Sequence, residues 1–259
     1  MLITLLTDFG LQDTYVGVMK GVIAQIAPTA QVIDLTHEIP PHNIAAASFN
    51  LMTAYPYFPT GTVHVVVVDP GVGGGRRAIA LQLPDSFLVG PDNGVFMGLL
   101  GQYPILTAVE LTNSHYWRTA NPSHTFHGRD IFAAVGAHLA RGVALEDLGE
   151  AIDPGSVVQL PRQEWSRKDA TIVGCIQYVD HFGNLVTNIP AEAVQGKKWA
   201  VRLGRTTVPG LRAYAEGKIG TLLALVGSHG WIEIAVNSGN AWSKLRLNWG
   251  DPVQVILKD

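Results

Sequence analysis

Apolar runs alternate with amphipathic stretches through the first part of the chain. Residues 2–7 form a short apolar run ending at an acid, and residues 15–26 place apolar side chains at helical spacing, with Asp13 in front and Pro28 behind. This predicts a strand followed by a helix. Residues 31–35 read as a second strand, 44–55 as a helix, and 62–68 as a β-branched run of the kind buried on both faces of a sheet. Strands at 78–83, 86–89 and 105–111, a short helix at 95–100 and a helix at 130–141 follow. The alternation predicts an α/β domain with a central, mainly parallel, Rossmann-like sheet.

The pattern changes between Pro154 and Lys168, where the chain turns polar and proline-bearing. Two domains are expected, 1–160 and 169–259. Beyond the boundary no long amphipathic helix is evident. Short strands at 170–179, 199–203, 222–226, 231–235 and 252–257, separated by Gly and Asn, predict a small antiparallel β-barrel or sandwich. Five of the six tryptophans fall from Trp165 onward and are expected to fill its core.

A chain of 259 residues can bury two cores, and its net charge of -3, without long like-charge blocks, argues against nucleic-acid and membrane-surface partners. A small ligand is the expected partner. The only cysteine, Cys175, sits in an apolar run and reads as a buried thiol. No basic leader with a cleavage site precedes the first strand, and no uninterrupted apolar stretch reaches the ~18 residues of a membrane span. A cytoplasmic location is expected.

Ligands of open α/β sheets collect at the carboxyl ends of strands, where Asp8 and Asp69 stand. Asp69 opens the segment Asp69-Pro70-Gly71-Val72-Gly73-Gly74-Gly75-Arg76-Arg77. The segment lacks the Lys-Ser/Thr ending of a P-loop and precedes a strand, so a tight hairpin carrying both arginines is expected rather than a phosphate cradle. His127, in Phe126-His127-Gly128-Arg129-Asp130, is a further candidate, with Arg129 and Asp130 serving the helix start. No HExxH or paired metal-ligand spacing occurs, which leaves a metallohydrolase built on Asp69 and His127 a minor alternative. In the second domain, Asp180-His181-Phe182-Gly183-Asn184 reads either as a turn or as part of a site.

Taken together, the segments Thr7-Asp8-Phe9-Gly10, Asp69-Pro70-Gly71-Val72-Gly73 with Arg76, Gly90-Pro91-Asp92-Asn93-Gly94, Phe126-His127-Gly128-Arg129-Asp130, Asp180 to Asn188, and Ser228 to Asn237 closely resemble the S-adenosyl-methionine hydroxide adenosyltransferase family. These are hydrolytic relatives of the fluorinase and chlorinase enzymes. The resemblance implies an N-terminal α/β domain, a C-terminal β-barrel, a homotrimer with sites shared between subunits, and no cofactor or metal. The implied reaction is attack of water or hydroxide on S-adenosyl-L-methionine, giving adenosine and methionine.

The family's catalytic set corresponds to Asp69, Arg76 and His127. Fluorinases carry tyrosines at the positions of Asp69 and His127, and a halide-contacting serine at that of Gly128, so the pattern here is the hydrolytic one. By the same resemblance Asp8 holds the ribose hydroxyls, Asp180 pairs with the methionine ammonium, Asn184 reads the adenine edge and Ser228 binds the methionine end. His229 replaces a halogenase arginine near the carboxylate. A halogenase using the same substrate and a non-catalytic binder of S-adenosyl-methionine or adenosine are the competing readings.

Overall fold

The computed structural model describes residues 1–161, 163–204 and 206–258, in two compact units, Met1–Leu160 and Pro161–Asp259.

The first unit runs β1 (Leu2–Thr7), α1 (Tyr15–Ile26), β2 (Gln31–Thr36), α2 (Ile44–Ala54), β3 (Thr62–Val67), β4 (Ala78–Gln82), β5 (Ser86–Pro91), α3 (Met97–Leu100), β6 (Thr107–Glu110), α4 (Ala133–Ala140) and β7 (Glu150–Ala151). Its seven strands form one sheet in the order β2-β1-β3-β5-β4-β6-β7. The four strands from β2 to β5 pair in parallel, whereas β4, β6 and β7 add antiparallel partners. The β-branched run of β3 is fully buried because it lies inside the sheet with both faces covered. Val63 and Val65 pack with Met19 and Ile23 of α1 and with Val135 and Leu139 of α4, while Leu6 and Val66, pointing to the opposite face, are equally inaccessible.

Two local expectations change. The glycine segment after Asp69 is a crossover and not a hairpin, because β4 pairs with β5 and β6 and leaves β3 beside β5. The helix expected at 130–141 begins earlier, with a π-type turn at Gly128–Phe132 that leads into α4. Asp130 anchors that turn. Its buried carboxylate accepts from Arg129 Nε and Nη2, both at 2.7 Å, from the Ser123 amide at 2.9 Å and from Arg118 Nε at 2.5 Å. Burial alone would raise its pKa, but these donors hold it well below the usual carboxylate range.

The second unit comprises β8 (Ser166–Lys168), β9 (Thr171–Val179), β10 (Leu185–Pro190), β11 (Lys198–Leu203), β12 (Thr206–Pro209), β13 (Leu222–Val226), β14 (Trp231–Val236), the short α5 (Ala241–Leu245) and β15 (Pro252–Lys258). Its strands follow the order β12-β11-β15-β9-β10-β14-β13, every pairing antiparallel, and a Gly210–Ala224 bridge links the two ends into a nearly closed barrel. Aliphatic side chains fill the interior, among them Ile172, Ile176, Leu185, Ile232, Ile234 and Val255. Trp199 and Trp242 only flank this core, and Trp165 and Trp249 are exposed, contrary to the tryptophan-filled core expected. Cys175 is buried, which pushes its thiol up. Among the described residues, no helix is long and apolar enough to cross a membrane.

Candidate active site

Register brings two acids to one edge of the first sheet. Thr7 pairs with Val67 across β1 and β3, so Asp8 and Asp69 leave adjacent parallel strands at their carboxyl ends. Asn93 secures the second exit by donating from Nδ2 to the Val68 carbonyl at 2.9 Å.

The crossover after Asp69 then curls back on itself. Gly73 has a φ of 74°, and a Cβ there would lie 2.2 Å from the His124 carbonyl oxygen, so this loop rests directly on the segment leading to His127. That contact brings His127 to the Asp69–Arg76 pair. Arg76 donates from Nε to both Asp69 oxygens at 3.0 Å and from Nη2 to Oδ2, and the same Nη2 lies 2.8 Å from His127 Nδ1. The Arg76 and Asp69 side chains are 11% and 5% exposed, so their pairing is shielded from solvent. The guanidinium also sits 5.4 Å from the centre of the Phe132 ring.

Burial, reinforced by the positive charge of Arg76, lowers the His127 pKa. Arginine has no acceptor, so Nδ1 must offer its lone pair, and the neutral ring carries its hydrogen on Nε2. The result is a fixed cation between a carboxylate and a neutral imidazole that remains a donor. The cation stands where a metal reading of Asp69 and His127 would need an ion. Among the described residues, no group of three His, Cys, Asp or Glu side chains is placed to hold a metal.

Asp8 is partly buried, and its Oδ2 accepts from the His42 amide at 2.8 Å. His42 adopts a left-handed φ of 66°, an unusual conformation that aims this amide at the acid. Nothing in the sequence around His42 signalled it. Phe9, Tyr15 and Phe126 form an aromatic wall, with ring centres 5.3 to 5.8 Å apart, next in sequence to Asp8 and His127. Arg77, by contrast, is structural, pairing through Nε with Asp92 at 2.8 Å and through Nη2 with the Ser156 carbonyl at 2.7 Å.

The remaining candidates lie in the second unit. Asp180 and Asn184 close the β9–β10 turn on each other: the Asn184 amide and Nδ2 donate to the two Asp180 oxygens at 2.8 and 2.9 Å. Ser228 is exposed in the turn between β13 and β14. Beside it, His229 Nδ1 accepts from the Trp231 amide and Nε2 faces Glu233, both at 3.1 Å, so both ring nitrogens are engaged by residues of the same unit. Tyr214 donates its hydroxyl to the other Glu233 oxygen. Glu233 and Tyr214 were missed from sequence, although an acid between Ile232 and Ile234 in an apolar strand was a visible signal.

Residues 3–149 match the N-terminal domain of the SAM hydroxide adenosyltransferases, and residues 174–254 match the C-terminal domain. The chain belongs to the SAM hydroxide adenosyltransferase family. A relative from Salinispora arenicola, named (R)-S-adenosyl-L-methionine hydrolase, is 41% identical over 98% of this chain and 97% of its own length. A crystal structure of an uncharacterized conserved protein from Thermotoga maritima superposes with a TM-score of 0.91, at 39% identity, over 99% of this chain and all of that one. A fluorinase from Nocardia brasiliensis is more distant, at 24% identity over 98% of this chain and 96% of its own. Within the family the two-domain description fits the α/β sheet and barrel seen here.

Proposed function

We propose that this chain hydrolyses S-adenosyl-L-methionine to adenosine and L-methionine, with Asp69, Arg76 and His127 acting on the water. The observation that carries the reading is the continuous contact Asp69–Arg76–His127, which supplies an acceptor, a fixed cation and a neutral donor at one point. The sulfonium is already a good leaving group. The reaction therefore needs a positioned nucleophile far more than an acid.

Water attacks C5′ in line with the sulfur, the C5′–S bond breaks, and its electron pair leaves on methionine as a neutral thioether. Asp69 orients the water and takes its proton as the C–O bond forms, because full deprotonation beforehand is steeply uphill from a pKa of ~15.7. The His127 Nε2–H donates to the reacting oxygen, and Arg76 keeps both partners in place. Asp8 and the aromatic wall suit the nucleoside, while Asp180, Asn184 and Ser228 suit the polar ends of the substrate.

The proposal extends to a homotrimer whose sites draw the two residue sets from different subunits, an arrangement supported by the family resemblance and by the general concavity of interfaces. It also places the enzyme in the cytoplasm, a compartment that keeps a lone thiol such as Cys175 reduced. Purified protein is incubated with S-adenosyl-L-methionine in oxygen-18 water and the products are separated by chromatography. Adenosine labelled at O5′ is expected. Absence of adenosine above a heat-killed control favours a binder, and a dominant 5′-chloro nucleoside in saturating chloride favours a halogenase.

A further inference from the structure

Glu233 is a charged side chain only 3% exposed, on a strand whose neighbours are apolar. Such a group is costly unless its oxygens are satisfied. Both are. Oε1 accepts from the Tyr214 hydroxyl, and Oε2 accepts from His229 Nε2, which must bear the hydrogen because Nδ1 already accepts from the Trp231 amide. One carboxylate thereby fastens two separate segments to β14: the stretch around Tyr214 and the turn that carries Ser228.

The strand pattern shows which way this clamp faces. Ile232, Ile234 and Val236 point into the barrel, so Glu233 lies on its outer surface. Val186 pairs with Glu233 across β10 and β14, and the turn that Asp180 and Asn184 close leads directly into β10. The packing under the Ser228 turn is close: a Cβ on Gly227 would lie 2.5 Å from Glu233 Oε2. The Tyr214 phenol is raised by burial and by the Glu233 hydrogen bond, and it also feels the negative charge of Asp180. Its only hydroxyl hydrogen is given to Glu233, so towards any other group its oxygen is an acceptor.

We propose that Glu233 is the positioning residue for the amino-acid end of the substrate: it fixes Tyr214 and the Ser228 turn, and it adds a second negative charge to the barrel face of Asp180, so that this face selects a tail bearing an ammonium. The proposal rests on the hydrolase reading and assigns a specificity role to a side chain outside the reacting set. Its consequence is selective. A substrate with the same C5′–sulfonium bond but no amino-acid tail gains nothing from Glu233.

The test compares S-adenosyl-L-methionine with 5′-(dimethylsulfonio)-5′-deoxyadenosine in the wild type and in Glu233→Gln, measuring kcat and KM for adenosine release. The amide keeps the shape but removes the charge and replaces one acceptor with a donor. The ratio of kcat/KM values, full substrate over truncated, is expected to fall about tenfold or more, mainly through KM, the size of one charge-assisted hydrogen bond. An unchanged ratio overturns the proposal, including the case where both substrates lose equally, as a purely structural role requires.

If circular dichroism shows that Glu233→Gln does not fold, Tyr214→Phe is used, with the same two outcomes. If the wild type hydrolyses neither substrate, it is the hydrolase reading that fails, and calorimetric affinity for S-adenosyl-L-methionine then tests Glu233 alone. A tenfold weakening in the variant supports the clamp, an equal affinity overturns it, and no binding by the wild type overturns both.

Discussion

Arg76 Nη2 lies 2.8 Å from His127 Nδ1, and this contact exists only while the imidazole is neutral. Protonating His127 would place a hydrogen on Nδ1 facing a guanidinium that has only hydrogens to offer. Burial and the charge of Arg76 both oppose that protonation, so the ring keeps its neutral form to lower pH than a free histidine. We predict that kcat is flat through neutral pH and falls only on the acid side, with an apparent pKa below the ordinary histidine value of about 6.5. A pH–rate profile checks this. Loss of activity as pH rises through the histidine range would mean that imidazolium is the working form and would remove the assigned tautomer.

The guanidinium contributes shape as well as charge. Arg76 reaches both Asp69 oxygens and His127 from a single planar fork, whereas a lysine has one nitrogen on a flexible stem. Arg76→Lys is predicted to lower kcat by about 10²–10³, the cost of losing one preorganised polar group, with a much smaller change in KM. Asp69→Asn is predicted to share this pattern, because its interaction matures as the proton is transferred. Steady-state kinetics on both variants decide it. A loss confined to KM places these residues in ground-state binding instead.

His64 supplies a stability test away from the site. It is 1% exposed on β3, its Nδ1 lies 2.8 Å from the Thr4 hydroxyl, and burial holds its pKa down to about 4. The unfolded chain therefore takes up a proton near pH 6.5 that the folded chain refuses until about pH 4. The contribution of His64 should make stability fall as pH drops through this window, by up to about 3 kcal/mol, and that contribution is exhausted below it. Denaturant unfolding at several pH values measures the slope. His64→Asn should flatten it, and identical slopes in variant and wild type would show that His64 is not the group responsible.

These features differ in how far the sequence displays them. The Thr62–Val67 run declares a buried parallel strand because its hydrophobicity is continuous, and register then follows well enough to put Asp8 and Asp69 on one edge. The Leu185–Pro190 strand is hidden, since Thr187, Asn188 and Pro190 look like turn residues. In the fold Thr187 donates to the Ile232 carbonyl at 2.8 Å, and Asn188 accepts from the Cys175 amide at 2.8 Å, tertiary partners that no local pattern announces. The candidate site divides in the same way. Asp69, Arg76 and His127 are legible through family motifs, but their joining depends on the close approach of Gly73 to His124. The crossover in place of a hairpin is equally non-local, because only the insertion of β5 beside β3 separates the two.

The homotrimer proposal makes a prediction that needs no structure of the assembly. Asp69→Asn disables the set in the first unit and Asp180→Ala the set in the second, so each variant alone should be inactive or nearly so. The two proteins are mixed, unfolded and refolded together so that subunits exchange. If sites combine residue sets from different subunits, some sites in mixed trimers receive Asp69, Arg76 and His127 from the Asp180 variant, and Asp180, Asn184 and Ser228 from the Asp69 variant. Those sites carry no lesion and should turn over S-adenosyl-L-methionine at a fraction of the wild-type rate. If every site is completed within one chain, each still contains a damaged half and mixing restores nothing. Native mass measurement confirms that mixed assemblies formed. With that control in hand, the absence of rescue removes the shared-site arrangement and leaves the chemistry of Asp69, Arg76 and His127 untouched.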